Sequence, residues 1–360
     1  MLMKRRCVFY KESRQTKVAT ADGSSPVFKV RGVHLHEQCL FHSFSLSSIS
    51  PRRHHIPSTK SFPIPTLYLL TPTLMTSPRK TVLITGCRGI GIGNALAREF
   101  HAQGFRVFAT ARSASQLDDL TALGIEAITL DVTSREQIAA AAAEVASRTG
   151  GTLDILVNNA GKACTIPALD ATDDDIKGVF ETNLFSVVYT CQGFAPLVIK
   201  AKGTIVQIGS ITQMVPLTFG SLYNATKAAL HAFTDTLRVE LEPFGVNVTE
   251  IITGGVKSNI AGNSKRRLPP TSIYLPVEDA FIARQGTSQD GALDTDAYAK
   301  GVVQQLSKST PPRWYWRGSF VWPIWIITTF FSRGFMHYIR RNTFGMDKLR
   351  ALVSSGKIKV

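Results

Sequence analysis

Between residues 81 and 255, short apolar runs alternate with longer stretches whose apolar positions recur at helical spacing. TVLIT, RVFAT, EAITL, LDILVNN, TIVQIG and VNVTEII, beginning at Thr81, Arg106, Glu126, Leu153, Thr204 and Val246, are predicted strands. Helices are predicted from near Gly91, Ser115, Ser134, Asp174 and Leu222. Strands that are apolar throughout, rather than at alternate positions, are buried on both faces, and strands separated by helices pair in parallel. The pattern predicts an α/β fold: a doubly wound, mainly parallel sheet with helices on both faces and right-handed crossovers.

The flanks read differently. Residues 1–78 are rich in Ser, His, Pro and basic groups and carry no helical or strand period, so they are expected to be disordered, a targeting segment, or an over-extended reading frame ahead of a start at Met75. Residues 79–310 hold the predicted domain, including a loop-rich basic stretch at 256–290 expected to serve the substrate. In residues 311–360, the pair Pro311-Pro312 precedes RWYWRGSFVWPIWIITTFF. Its longest uncharged run, Gly318–Phe331, has 14 residues, about 21 Å as a helix against the ~30 Å of a bilayer core. Aromatic residues flanked by arginine instead suit a segment lying at a membrane interface. A hydrophobic substrate wall or a dimer contact is the alternative.

Composition narrows the function. Of 360 residues 44% are hydrophobic, enough for a sizeable core, and the net charge is +15. Thirteen Lys and Arg against three Asp and Glu fall in residues 1–80. The basic excess therefore belongs mainly to the N-terminal flank and does not mark a nucleic-acid-binding core. Five cysteines without a CxxC pair argue against a disulfide framework or structural zinc and favour a reducing compartment, with no metal expected.

The first strand runs into TGCRGIGIG, Thr85–Gly93, and then a helix. Gly86 is expected to make the tight turn, Gly91 to let a pyrophosphate approach, and Gly93 to bring helix and strand together, with Ile92 opening a helix whose amides face the phosphates. The second strand ends without an acid to bind a free ribose 2′-hydroxyl. Arg112 stands there instead, and Arg88 lies in the glycine loop. Two guanidiniums at that place favour a 2′-phosphate, hence NADP(H) over NAD.

Further along come Asp131-Val132, NNAG at Asn158–Gly161, Ser210, and YNATK at Tyr223–Lys227. With the glycine loop, this ordered set over about residues 80–260 resembles the short-chain dehydrogenase/reductase family, whose fold is of Rossmann type. Tyr223 and Lys227 are four apart and share a helix face. An ammonium beside a phenol stabilises its phenolate and makes a proton donor of it. The resemblance implies that Tyr223 protonates a carbonyl during hydride transfer, that Lys227 tunes it and binds the nicotinamide ribose, and that Ser210 polarises the carbonyl. It implies that Asn183 supports a water relay to the lysine. It also implies that Asp131 and Val132 flank the adenine, that Asn158, Ala160 and Gly161 help secure the fourth strand and the adenosine side, and that Val256 and Ser258 of TGGVKS meet the cofactor. Family members commonly assemble as homodimers or homotetramers. Two departures stand out: Thr253 where the family has Pro, and a glycine loop one residue longer than usual, with Ile90 where relatives of that type often have Gly.

Longer segments, PPRWYWRG among them, resemble the fungal NADPH-dependent 1-acyldihydroxyacetone-phosphate reductases. That resemblance implies reduction of the ketone to 1-acylglycerol 3-phosphate in lipid synthesis, at the cytosolic face of the endoplasmic reticulum or on lipid droplets. Lys257, Lys265, Arg266 and Arg267 are candidates for the substrate phosphate, or else a solvated charge run. A steroid or retinoid carbonyl substrate is the alternative, as is a non-catalytic NADP(H)-binding sensor or scaffold; a cytoplasmic or mitochondrial location is the alternative placement.

Overall fold

The computed structural model describes residues 79–260 and 266–358. The expectations for residues 1–78, and the candidate Lys265, lie outside the described residues. Seven strands form one parallel sheet: β1 (Thr81–Ile84), β2 (Arg106–Ala111), β3 (Glu126–Thr129), β4 (Ile155–Asn158), β5 (Thr204–Ile208), β6 (Asn247–Thr253) and β7 (Trp314–Arg317). Their order is β3-β2-β1-β4-β5-β6-β7. The six strands anticipated from their apolar runs are all present, and β1, β4 and β5 are buried at every position.

Each face of the sheet has its own helices. On one side α1 (Ile92–Ala102) and α8 (Thr295–Leu306) pack Leu96, Phe100, Tyr298 and Val302 against Val82, Ile84 and Val107. On the other, α3 (Arg135–Thr149), α5 (Ser186–Ala201) and α6 (Ser221–Leu241) set Ile138, Val145, Phe194 and Leu230 against Leu83, Phe108, Leu156 and Ile205. The strand sequences are apolar at both odd and even positions because both faces are covered. The short α2 (Asp118–Thr121) follows β2, and α4 (Asp173–Phe180) runs through a π-helical turn, Glu181–Phe185, into α5. Among the described residues, the one helix long and apolar enough to cross a membrane is this continuous Asp173–Ala201. Its α5 part is packed on the sheet through Val187, Cys191, Phe194 and Val198.

The C-terminal aromatic stretch is more than an interfacial segment. Its beginning, Trp314–Arg317, is strand β7, paired in parallel with Glu250–Thr253 of β6. The domain's sheet therefore extends past residue 310. As an edge strand with only part of each side chain covered, β7 has no doubly buried apolar run to reveal it. Three residues later α9 (Val321–Phe330) begins, followed by α10 (Arg333–Arg340) and α11 (Met346–Ser354); α7 (Glu278–Gly286) lies beside them. Val321 and Ile324 of α9 and Met336 of α10 are buried, the last two against Val215. Phe344, Met346 and Leu349 cover Phe219 and Phe281. These helices thus form a roof over residues 211–219.

The join between β6 and β7 leaves no room at Gly254, where an added Cβ would lie 2.1 Å from the Ser319 carbonyl oxygen. Gly254→Ala is expected to destabilise the fold by about 1–3 kcal/mol, read as a lowered midpoint in thermal unfolding followed by circular dichroism.

Candidate active site

The strand order reverses at β1, whose neighbours are β2 and β4. In doubly wound sheets the ligand crevice opens at the carboxyl ends of strands at such a point. Here it is bounded by the glycine loop after β1 and by Asn159–Gly161 after β4. The two are tied together. The Thr85 hydroxyl accepts from the backbone N–H groups of Asn159 and Ala160, each at 3.0 Å, and Asn159 Nδ2 donates to the carbonyls of Thr85 at 2.8 Å and Gly86 at 3.1 Å. A Cβ on Gly93 would lie 2.5 Å from both Asn159 Nδ2 and the Gly86 carbonyl, and one on Gly86, whose φ is +73°, 2.9 Å from the Ala160 backbone. Only glycine fits at either position. Neither Thr85 nor Asn159 was singled out from the sequence, although Asn159 is the second residue of NNAG.

A dinucleotide fits this frame. Helix α1 begins after Gly91 with no side-chain cap and no acid in its first turn, so its amides are free to face phosphate oxygens. Ile90 stands in solvent, 77% exposed, and the longer loop does not fold it inward. The Cys87 N–H donates to the Thr110 carbonyl at 2.8 Å, which brings the loop carrying Arg88 beside the end of β2 and Arg112. Both arginines are exposed and form no salt bridge among the described residues. Asp131 is half-buried and its carboxylate accepts from Thr133 N–H and hydroxyl, while Val132 is buried. The Asn158 side chain turns into the core, where its Nδ2 donates to Cys191 Sγ at 3.4 Å, fastening β4 to α5. Val256 is buried in the core, and the Ser258 N–H donates to Gln289 Oε1 at 2.9 Å.

Ser210, Tyr223 and Lys227 meet at the carboxyl end of β5. Ser210 directly follows that strand and Gly209, and its hydroxyl accepts from Thr212 N–H at 3.2 Å. Tyr223 and Lys227 project from the first turns of α6. Lys227 is buried, its Nζ donates to the Ile208 carbonyl at 2.8 Å and lies 5.9 Å from the centre of the Tyr223 ring. Burial pushes this ammonium down to about 8, with buried Glu250 of β6 pulling it back up. Burial raises the Tyr223 phenol above its ordinary value; the Ser210 hydroxyl and the charge of Arg284 oppose that rise. Asn183 is buried inside the π-helical turn, where it accepts from the Lys162 N–H at 2.7 Å and donates to the Lys162 carbonyl at 2.9 Å and the Thr226 hydroxyl at 3.2 Å. A local widening of a helix of this kind commonly serves a functional position.

One turn beyond Lys227, His231 Nδ1 lies 2.6 Å from Glu250 Oε2, and this hydrogen bond raises the imidazole's pKa. Sequence reasoning did not find this pair, because Glu250 sits in an apolar run and His231 on the helix flank.

The substrate-phosphate candidates are dispersed. Arg266 closes its guanidinium fork on Asp175 at 2.8 and 2.9 Å, Arg267 reaches Glu278 at 3.3 Å, and Lys257 is exposed. Arg266 is thus a structural clamp between the loop after β6 and α4, not a free anion receptor. Its partner lies 91 residues away in sequence, beyond the reach of any spacing rule.

A family model described as short chain dehydrogenase matches residues 80–268. The chain is 45% identical over 241 residues to the NADPH-dependent 1-acyldihydroxyacetone phosphate reductase of Schizosaccharomyces pombe, covering 66% of this chain and 80% of that one. It is 39% identical over 274 residues to a short-chain dehydrogenase of Pyricularia oryzae, covering 75% and 96%. Among solved structures, a short-chain dehydrogenase from Streptomyces avermitilis matches with a TM-score of 0.63 at 27% identity, over 79% of this chain and 100% of that one.

The Arg266 guanidinium, with lesser help from the Thr172 N–H, holds the Asp175 carboxyl down at about 2. A depressed folded-state pKa stabilises above the ordinary carboxylate value and is lost as pH falls through the folded one. Stability should therefore drop between about pH 4 and pH 2 in the wild type and less in Asp175→Asn, by on the order of 1–2 kcal/mol after solvent screening, measured by urea unfolding across that range.

Proposed function

This chain belongs to the short-chain dehydrogenase/reductase family, and we propose that it reduces the ketone of a lipid-like substrate, 1-acyldihydroxyacetone phosphate, using NADPH. The protein is an oxidoreductase of that family. The observation that carries the reading is the cluster of Tyr223, Lys227 and Ser210 at the carboxyl end of β5, beside the glycine-loop crevice. The choice of substrate is supported by the 45% identity to the Schizosaccharomyces pombe reductase and by the apolar, arginine-flanked surface near the site.

Bound NADPH supplies the hydride. Gly86, Gly91 and Gly93 admit its pyrophosphate, and Arg88 and Arg112 receive the 2′-phosphate. Ser210 donates a hydrogen bond from its hydroxyl to the ketone oxygen, keeping its proton, and fixes the carbonyl toward Tyr223. The Tyr223 phenol, protonated at neutral pH, transfers its proton to the oxygen as negative charge develops there. Lys227, with one ammonium proton on Ile208, has two left to hold the ribose and steady the emerging phenolate. Asn183 keeps the Lys162 backbone and the Thr226 hydroxyl in place at the lysine's side of the helix. Glu250 acts beneath as a fixed counter-charge that keeps Lys227 protonated.

Helices α9 and α10 suit a lipid surface. Trp322, Phe330, Phe331 and Tyr338 are exposed, Phe330 by 70%, and Arg333 and Arg341 flank them. A ten-residue helix is too short to span a bilayer and lies along the interface instead, apolar rings among the acyl chains and guanidiniums at the headgroups. This surface supports a location at the cytosolic face of the endoplasmic reticulum or on a lipid droplet.

NADPH oxidation with acyl-dihydroxyacetone phosphate, compared with steroid and retinoid carbonyls, tests the substrate; reduction of a steroid or retinoid alone would overturn it, and tight NADPH binding without turnover of any carbonyl would indicate a sensor. Tyr223→Phe should lower kcat by about 10²–10⁴-fold while NADPH affinity, read by fluorescence, changes by less than about tenfold. Since Lys227 titrates near 8, kcat/KM for reduction should fall as pH rises through that value, and Glu250→Gln should move the falling limb to lower pH. In flotation with vesicles of phosphatidylcholine and phosphatidylserine, the triple replacement of Trp322, Phe330 and Tyr338 by Ser should release most of the bound protein with little change in melting temperature.

A further inference from the structure

In the proposed substrate the phosphate ester is carried on the carbon next to the ketone carbon. A cation that receives it must stand within a few ångströms of the Tyr223 hydroxyl. Arg284 of α7 stands at the start of the helix that carries Tyr223: a Cβ on Gly220, three residues before the tyrosine, would lie 3.5 Å from its Nη2, and its charge acts on the phenol. Its side chain is 7% exposed, its Nε donates to the Thr218 carbonyl at 3.2 Å, and its guanidinium lies 5.5 Å from the centre of the Phe344 ring. Its two terminal nitrogens make no hydrogen bond, and no carboxylate pairs with it, among the described residues. A buried cation without a counter-ion is costly unless something completes it.

The surroundings add positive charge. Burial, and then the charge of Arg340 of α10, push Arg284 down to about 10, and Arg340 shares a pocket wall with Thr218, whose carbonyl Arg284 binds. Arg340 forms no salt bridge among the described residues either. It lines a pocket of about 450 Å³ with His337, Arg341 and the first turn of α6 at Ser221 and Asn224, and no acid is among the lining residues. Helix α6 has 21 residues and starts at Gly220 without a side-chain cap, so its dipole points positive charge at the same place. Gly220 is itself the floor for Arg284: a Cβ there would lie 3.5 Å from Nη2.

We propose that Arg284 and Arg340, at the uncapped start of α6, form the subsite for a phosphomonoester one carbon away from the ketone that Tyr223 reduces. The inference rests on the reading of the substrate as a phosphorylated ketone; of the basic residues after β6, Arg266 and Arg267 are already paired with carboxylates. Two forks converging on one dianion supply both charge and direction.

The test uses the full chain loaded with NADP+, titrated calorimetrically with glycerol 3-phosphate, with glycerol, and with glycerophosphocholine as a phosphodiester headgroup. The wild type should bind the monoester and not glycerol, with the diester at least about tenfold weaker. Arg340→Gln and Arg284→Gln should each weaken the monoester by about tenfold or more, Arg284→Lys by less, and Arg267→Gln should not change it. Arg340→Gln guards against misfolding of the more buried variant. Unchanged affinity in both Gln variants overturns the proposal, and equal binding of the diester reassigns the site to a lipid headgroup. In turnover, the ratio of kcat/KM for acyl-dihydroxyacetone phosphate over acyl-dihydroxyacetone should collapse in both variants. A wild type that binds glycerol 3-phosphate through these arginines yet reduces neither ketone keeps the subsite and loses the substrate reading. Reduction of both ketones with an unaltered ratio in the variants does the reverse.

Discussion

Asn159 holds the crevice at the centre of the sheet. Its amide bonds to the carbonyls of Thr85 and Gly86 at the point where β1 and β4 send their chains to opposite sides. The two carbonyls lie just past the end of β1, and the bonds give them partners and set the loop's path together. Gly93 packs against the same amide, which brings the start of α1 into the crevice. The placement of phosphate-binding amides thus follows from one side chain at the end of a neighbouring strand.

Helix α6 organises the other wall through i,i+4 spacing. Tyr223, Lys227, His231 and Asp235 descend along one side of the helix, and Glu250 of β6 faces them from the sheet. A fully buried glutamate in a central strand needs compensation, and here it is shared between the His231 hydrogen bond and the charge of Lys227. The arrangement grades polarity from a wet crevice at the phenol to a neutralised interior one turn below. Ammonium, imidazole and carboxylate are coupled, so none of the three can be altered without shifting the others.

What could be read from the sequence follows from what each residue touches. Strands β1 to β6 declare themselves by their apolar runs, the five inner ones because both faces are covered, and Ser210, Tyr223 and Lys227 do so because one turn of helix and one strand end bring them together over short chain distances. Strand β7 escaped because an edge strand bearing Trp314 and Trp316 looks like an interfacial aromatic cluster. Arg284 could not be found at all: its meaning depends on Arg340 and Phe344, and only packing of the C-terminal helices onto α7 brings these near. For Arg266 the deciding fact is Asp175 on another helix.

Only Gly318, Ser319 and Phe320 separate β7 from α9, and the middle one is pinned twice, since the Ser319 N–H donates to the Gly255 carbonyl and its hydroxyl to the Gly291 carbonyl. The hydrophobic tail is therefore not a tether that can be trimmed to make a convenient soluble enzyme. Cutting after Arg317 would strip Ile324, Met336 and Phe344 from the roof and leave Val215 and Phe219 bare, so such a truncation would exchange one apolar surface for another.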